Sequence, residues 1–134
     1  MKKRKALIIV PPCGDKPTTY PPYGALYIGT FLEDNEYEVL VVNNDLKRET
    51  NEKLVEKIRE FNPEIIGFSA IVSNSYKYVK KLSLIIKKNF PKTFMILGGQ
   101  LSYAANVVLE HTPINVVVIG EGENTVISLC EYLA

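Results

Sequence analysis

The chain has 134 residues, 46% hydrophobic and 23% charged, with a formal net charge of +1, which describes one globular domain able to bury roughly two thirds of its unfolded surface. Near-neutral charge gives no bulk reason to expect nucleic acid or an anionic membrane as partner, and no apolar run approaches the ~20 residues of a membrane helix. Ala6–Val10 stops at Pro11-Pro12, short of a signal h-region of about 7–15 residues, and Cys13 and Cys130 make neither a metal-ligand spacing nor a secreted disulfide framework, so a cytoplasmic protein is expected.

In chain order, the basic cluster Lys2 to Lys5 reads as a solvated start, and Lys5 to Val10 as a strand covered on both faces. The proline-rich connection Pro11 to Pro22, with Gly14, can be neither helix nor inner strand. A βα loop usually has ~2–6 residues, so this one is oversized. Tyr23 to Asp34 predicts a helix with Leu26, Ile28, Phe31 and Leu32 available to pack and Gly29 allowing close approach to the sheet. Tyr37 to Val42 is rich in β formers and predicts a second strand, followed by a loop Asn43-Asn44-Asp45. Thr50 or Asn51 caps a helix to Phe61, which Asn62-Pro63 ends.

Pro63 opens the most informative stretch. Its apolar half predicts a third strand, and Ser69 to Ser75 supplies small hydroxyl and amide groups at the strand end. Tyr76 to Asn89 is amphipathic, with Val79, Leu82, Ile85 and Ile86 on one face and lysines on a wet one. Thr93 to Leu97 predicts strand four, then Gly98-Gly99-Gln100, a helix from about Ser102 to Glu110, strand five at Ile114 to Ile119, and a last helix after Gly120-Glu121-Gly122-Glu123. Five strands alternating with helices predict an α/β three-layer sandwich of Rossmann-like or flavodoxin-like type, with a parallel sheet in the order 2-1-3-4-5. Every unusual loop follows a strand and precedes a helix, so all share the edge where ligands bind in such sheets.

That edge is poor in catalytic groups. The only histidine, His111, ends a helix on the opposite side, where the helix dipole suits it. Ser69 and Ser73 lack a nearby base and a nucleophile-elbow pattern, Cys13 reads as an ordinary thiol, and Cys130 as core of the last helix. No phosphate-loop or dinucleotide fingerprint is present, and a receiver-type acid cluster is missing where Pro11-Pro12 and Ser69 stand. What remains is a cradle. Gly98-Gly99 lets a ligand touch backbone, Ser69, Ser73, Asn74 and Ser75 offer short polar arms, and Gly120 and Gly122 repeat the open backbone at the sheet edge. The competing structural account has these glycines serving tight turns and the serines capping the third helix.

The ordered set Ile65-Ile66-Gly67-Phe68-Ser69-Ala70, Ile96-Leu97-Gly98-Gly99 and Gly120-Glu121-Gly122-Glu123 resembles the cobalamin-binding-like domain found N-terminal to radical S-adenosylmethionine enzymes. Pro21-Pro22-Tyr23-Gly24-Ala25-Leu26-Tyr27-Ile28, followed by Tyr37-Glu38-Val39, resembles that family's opening, and the likeness covers essentially the whole chain. The resemblance implies a single cobalamin-binding domain over residues 1–134. The nucleotide tail would lie between the Ser69–Ser73 loop and Gly98–Gly99, and Ser69, Ala70, Ser73, Asn74, Gly98, Gly99, Gln100, Gly120, Glu121 and Gly122 would be the binding residues. It implies methyl transfer or related radical chemistry, with S-adenosylmethionine and a 4Fe-4S cluster in a following domain of the same parent chain.

Three departures qualify what is carried over. Asp15 is followed by Lys16-Pro17 rather than the D-x-H-x-x-G of histidine-ligating domains, so cobalamin would be held without a protein histidine. The C-x-x-x-C-x-x-C cluster motif is absent, so this chain alone is not expected to catalyse, and it ends on the last helix as at a domain boundary. The family's glycine near Glu36 is missing, and Asn35 is expected to take the left-handed helix end. Two alternatives stand beside this reading. A cofactor-free scaffold or interaction domain of the same lineage would fill the space beside Gly98-Gly99 with Leu101, Tyr103 and Ile71. A free-standing small enzyme of flavodoxin-like fold would turn over substrate alone, but no acid/base pair supports it.

Overall fold

The computed structural model describes residues 2–18, 20–120 and 123–132. Its strands are β1 (Arg4–Val10), β2 (Tyr37–Asn43), β3 (Ile65–Ser69), β4 (Phe94–Gly98) and β5 (Val116–Val117), all parallel in the order β2-β1-β3-β4-β5. The helices are α1 (Tyr23–Asp34), α2 (Asn44–Lys47), α3 (Asn51–Phe61), α4 (Tyr76–Asn89), α5 (Ala105–His111) and α6 (Glu123–Tyr132), with 3-10 turns at Ser73–Ser75 and Gln100–Ala104. Fold class and strand order are as the sequence predicts.

Alternation along the inner strands sorts side chains onto two faces. Leu7, Ile9, Ile66, Phe68, Met95 and Leu97 face α3, α4 and α5, where they join Leu54, Ile58, Leu82 and Val108 in a fully buried core. Ala6, Ile8, Ile65 and Ile96 face α1 and α6 and meet Ala25, Leu32 and Cys130. α1 packs through Ala25, Gly29 and Leu32, with the Gly29 backbone against Val39 and Val41. Leu26, expected to pack, is instead exposed beside Tyr23 and Tyr27.

Local chemistry sets the helix ends. Thr50 accepts a hydrogen bond from the Lys53 amide and caps α3, while Asn62 closes it in the left-handed region, its amide donating to the Ile58 carbonyl at 2.7 Å. At the end of α1 the left-handed residue is Glu36 (φ 70), not Asn35 (φ −105), because the chain needs one more residue before turning into β2. Asn43-Asn44-Asp45 is not a loop: Asn44 and Asp45 begin the single turn α2. The predicted helix from Ser102 starts as a 3-10 turn and becomes α-helical only at Ala105. β5 is shorter than predicted because Asn115 interrupts its start. The Asn115 side chain accepts from the Met95 amide at 2.8 Å, a place the ladder would otherwise fill.

In the N-terminal basic cluster Lys2 and Lys3 are exposed, as expected, whereas Arg4 and Lys5 are half-buried and structural. Arg4 donates to Glu64 at 2.8 Å, to the Tyr37 hydroxyl at 2.8 Å and to the Cys130 carbonyl at 2.7 Å, tying β1, β2 and α6 together below the sheet. Lys5 lies over the Phe61 ring at 5.2 Å. Burial first, helped by its neighbours, pushes the Tyr37 phenol up to about 12, so it stays a neutral partner of Arg4.

Candidate ligand trough at the strand ends

The oversized first loop is held by one buried acid. The Asp45 carboxylate accepts from the Cys13 amide at 2.9 Å, from the Thr18 amide at 2.9 Å and hydroxyl at 2.7 Å, and from Arg48 at 3.1 Å. Arg48 also donates to the Gly14 carbonyl at 2.8 Å, and Ser75 donates to the Pro12 carbonyl at 2.9 Å. Burial disfavours the Asp45 charge, but these donors and the Arg48 guanidinium outweigh it and hold the carboxyl below its ordinary range. Asp45 is therefore a clamp, committed to the loop and unavailable to a ligand. Burial and the nearby Asp45 charge raise the Cys13 thiol, which keeps it protonated and inert at neutral pH.

Beside this clamped loop, between the sheet, α1 and α6, lies a trough of about 220 Å³. Its floor is the middle of the sheet, where Gly67 stands in register between Ile8 and Ile96. Its walls are Ala25, Ile28 and Leu32 from α1 and Val126 from α6. Ser69, Gly98, Gly99 and Gly120 form the mouth. From Ile65 to Ser69 is four strand steps, so the trough is about 13 Å deep.

Glycine makes this space. A Cβ added at Gly67 or at Gly98 meets nothing within 4 Å, so both residues leave real room rather than relieve a clash. On the other side of the same strand Phe68 is fully buried in the packed core. One face of β3 is thus filled by an aromatic ring and the other left open by its neighbour. Gly99 differs: at φ +88 its missing Cβ would collide with the Ala70 carbonyl oxygen, so this glycine is demanded by the turn. The Ala70 amide donates to the Gly98 carbonyl and the Leu101 amide to the Ala70 carbonyl, both at 3.1 Å, which locks the two strand ends together.

Of the residues singled out from sequence, Ser69, Gly98, Gly99 and Gly120 converge on the trough. Ala70 is buried beneath Gly99, while Asn74 and Gln100 are exposed at the edge and Ser73 opens the 3-10 turn before α4. Glu121 and Gly122 lie outside the described residues. Ser75 does not cap α4 with its side chain: as N-cap it makes no capping bond and uses its hydroxyl on Pro12 instead. His111 sits at the last residue of α5, away from the mouth. Gly67, the floor, was not among the assigned residues, although a glycine inside an inner strand is itself a signal of close approach. Gly24, Ile28 and Val126 were not assigned to the site either, because only the packing of α1 and α6 brings them to the same space.

Among the described residues, no group of His, Cys, Asp and Glu could hold a metal ion, and no helix is long and apolar enough to cross a membrane. The trough can accept an elongated apolar body, with polar contact at its mouth.

The profile of the B12 binding domain matches residues 14–129. An uncharacterized methyltransferase of Pyrococcus horikoshii is 29% identical over 143 residues, covering 100% of this chain and 30% of that protein. The anaerobic magnesium-protoporphyrin IX monomethyl ester cyclase of Synechocystis is 31% identical over 117 residues, covering 84% of this chain and 23% of that protein. The chain therefore spans under a third of the length of these relatives. A cobalamin-binding protein from Desulfitobacterium hafniense superposes with a TM-score of 0.75 at 19% identity, over 98% of this chain and 60% of that one, which shows a shared fold.

Proposed function

This chain belongs to the B12 binding domain family, and from that premise we propose that it holds cobalamin with the nucleotide tail in the trough between α1, α6 and the sheet. The observation that carries the reading is the open floor. Gly67 on the floor below Ser69 and Gly98 level with Ser69 at the mouth leave space where a Cβ would touch nothing within 4 Å. Such a cradle fits the long, narrow tail of the cofactor. Ser69 would contact the nucleotide at the mouth, Gly98 and Gly99 would let it approach backbone, and Ile28, Ile96 and Val126 would exclude water from its base. Bound there, cobalamin would supply alkyl transfer at cobalt.

In this reading the cobalt is held without a histidine of this chain, which the position of its one histidine, His111, at the end of α5 supports. The protein's task would then be to grip the tail in the trough and present the rest of the cofactor at the rim. The partner, in this reading, is a following domain of the same parent protein carrying S-adenosylmethionine and a 4Fe-4S cluster. The greater length of the relatives supports it, and the methyltransferase among them supports methyl transfer as the parent's reaction.

The scaffold alternative needs the space beside Gly98-Gly99 filled. Leu101, its first proposed filler, is buried in the opposite core, and Tyr103 and Ile71 are 77% and 44% exposed; none of the three lines the trough. Titration of the purified chain with hydroxocobalamin, followed by visible spectrum and co-elution on a sizing column, tests the proposal. Saturable 1:1 binding is expected; absence of binding at high micromolar cofactor would favour the scaffold.

A further inference from the structure

Resting on the cobalamin reading, we infer that the trough selects among cobamides by their lower base, taking an apolar fused-ring base of the benzimidazole type in preference to a purine. Among the described lining residues, Ser69 is the only one with a polar side chain, and it stands at the mouth as the last residue of β3. Below it the base would meet Ile8, Ile28, Leu32, Ile65, Ile96 and Val126. The floor offers little in exchange. Ile8, Gly67 and Ile96 are paired in the parallel ladder, and the Val118 amide is spent on the Leu97 carbonyl at 2.8 Å.

Size admits a fused-ring base, and polarity chooses between the two kinds. A cavity of about 150 Å³ lined by such side chains takes a single benzene ring, so the 220 Å³ here has room for two fused rings. A purine would bring an exocyclic amine and extra ring nitrogens into this space without partners, and a buried polar group left unpaired is costly. Ring methyl groups in the same place bury apolar surface against isoleucine and leucine, which is favourable. Room opened by Gly67 on the floor admits the second ring of either base, so the choice between them falls to the apolar lining that surrounds that floor.

The test compares three corrinoids on the purified chain by visible-spectrum titration: cobalamin with its dimethylbenzimidazole base, the cobamide with adenine in that place, and cobinamide, which lacks the nucleotide. Cobalamin should bind roughly tenfold to a hundredfold more tightly than the adenine cobamide, and cobinamide should bind weakest. Equal affinity for the two complete cobamides would overturn the selectivity while leaving cobalamin binding intact. Cobinamide binding as tightly as cobalamin would overturn the placement of the base in the trough. Failure of all three to bind would overturn the functional reading itself. In Gly67→Ser, which sets a hydroxyl on the open floor, the preference for cobalamin should narrow by threefold or more, roughly what one added hydrogen-bonding group allows. An unchanged ratio would place the base elsewhere and defeat the inference.

Discussion

Gly67 and Gly99 are three strand steps apart in the site and do opposite work. Replacing Gly67 with leucine puts a side chain into space that nothing else occupies, so the fold should hold and hydroxocobalamin affinity should fall at least about tenfold. Replacing Gly99 with alanine forces a Cβ onto the Ala70 carbonyl at a left-handed φ, and should cost about 1–3 kcal/mol of stability before any ligand is added. Denaturant melts of both variants beside cofactor titrations separate the two roles; a Gly67→Leu chain that binds normally would remove the trough from the account. Asp45 yields a pH prediction. Its carboxyl is depressed from an ordinary 3.8, so its contribution is complete above that value and is lost as pH falls through the lower folded value. Asp45→Asn should therefore be less stable than the parent by roughly 2 kcal/mol at pH 7, and the gap should shrink when urea midpoints are compared at pH 3. A constant gap would mean that the charge is not what holds the loop.

At the scale of elements, much of the fold was legible from residues. The amphipathic pattern of Tyr76–Asn89 and the apolar run ending at Val10 coincide with α4 and β1 to within a residue, because burial of one face or of both writes itself into local periodicity. What stayed hidden depended on distant partners. In sequence Asp45 is only part of a loop on the ligand edge, and the return of the Pro-rich loop is what reveals it as that loop's anchor. The shortening of β5 needs the Met95 amide, brought by the neighbouring strand. The end of α1 shows local strain, since Glu36 holds φ 70 with a side chain attached. Glu36→Gly should relieve up to about 1 kcal/mol and raise the melting temperature by several degrees; an unchanged or lower melting temperature would show that the glutamate side chain compensates.

For the molecule as a whole, the asymmetry of the two sheet faces is the feature that ties fold to function. The face under α3, α4 and α5 is closed by large buried side chains; the face under α1 and α6 is thinned at its centre by Gly67 and Gly98. The rim residues of the candidate site could be read in order along the chain, because glycines and serines after strands are visible locally. The floor could not, since which face a strand glycine opens is decided by how β1 and β4 flank β3. An unfilled interior face forgoes packing, and a ligand occupying it should tighten the helices that cover it. Hydrogen–deuterium exchange with and without saturating hydroxocobalamin tests this most directly. The account predicts strong added protection in α1 from Ala25 to Leu32 and in α6 around Val126, with α3 and α5 unchanged. Saturable binding with protection confined to α3, α4 and α5, or with none in α1 and α6, would contradict it.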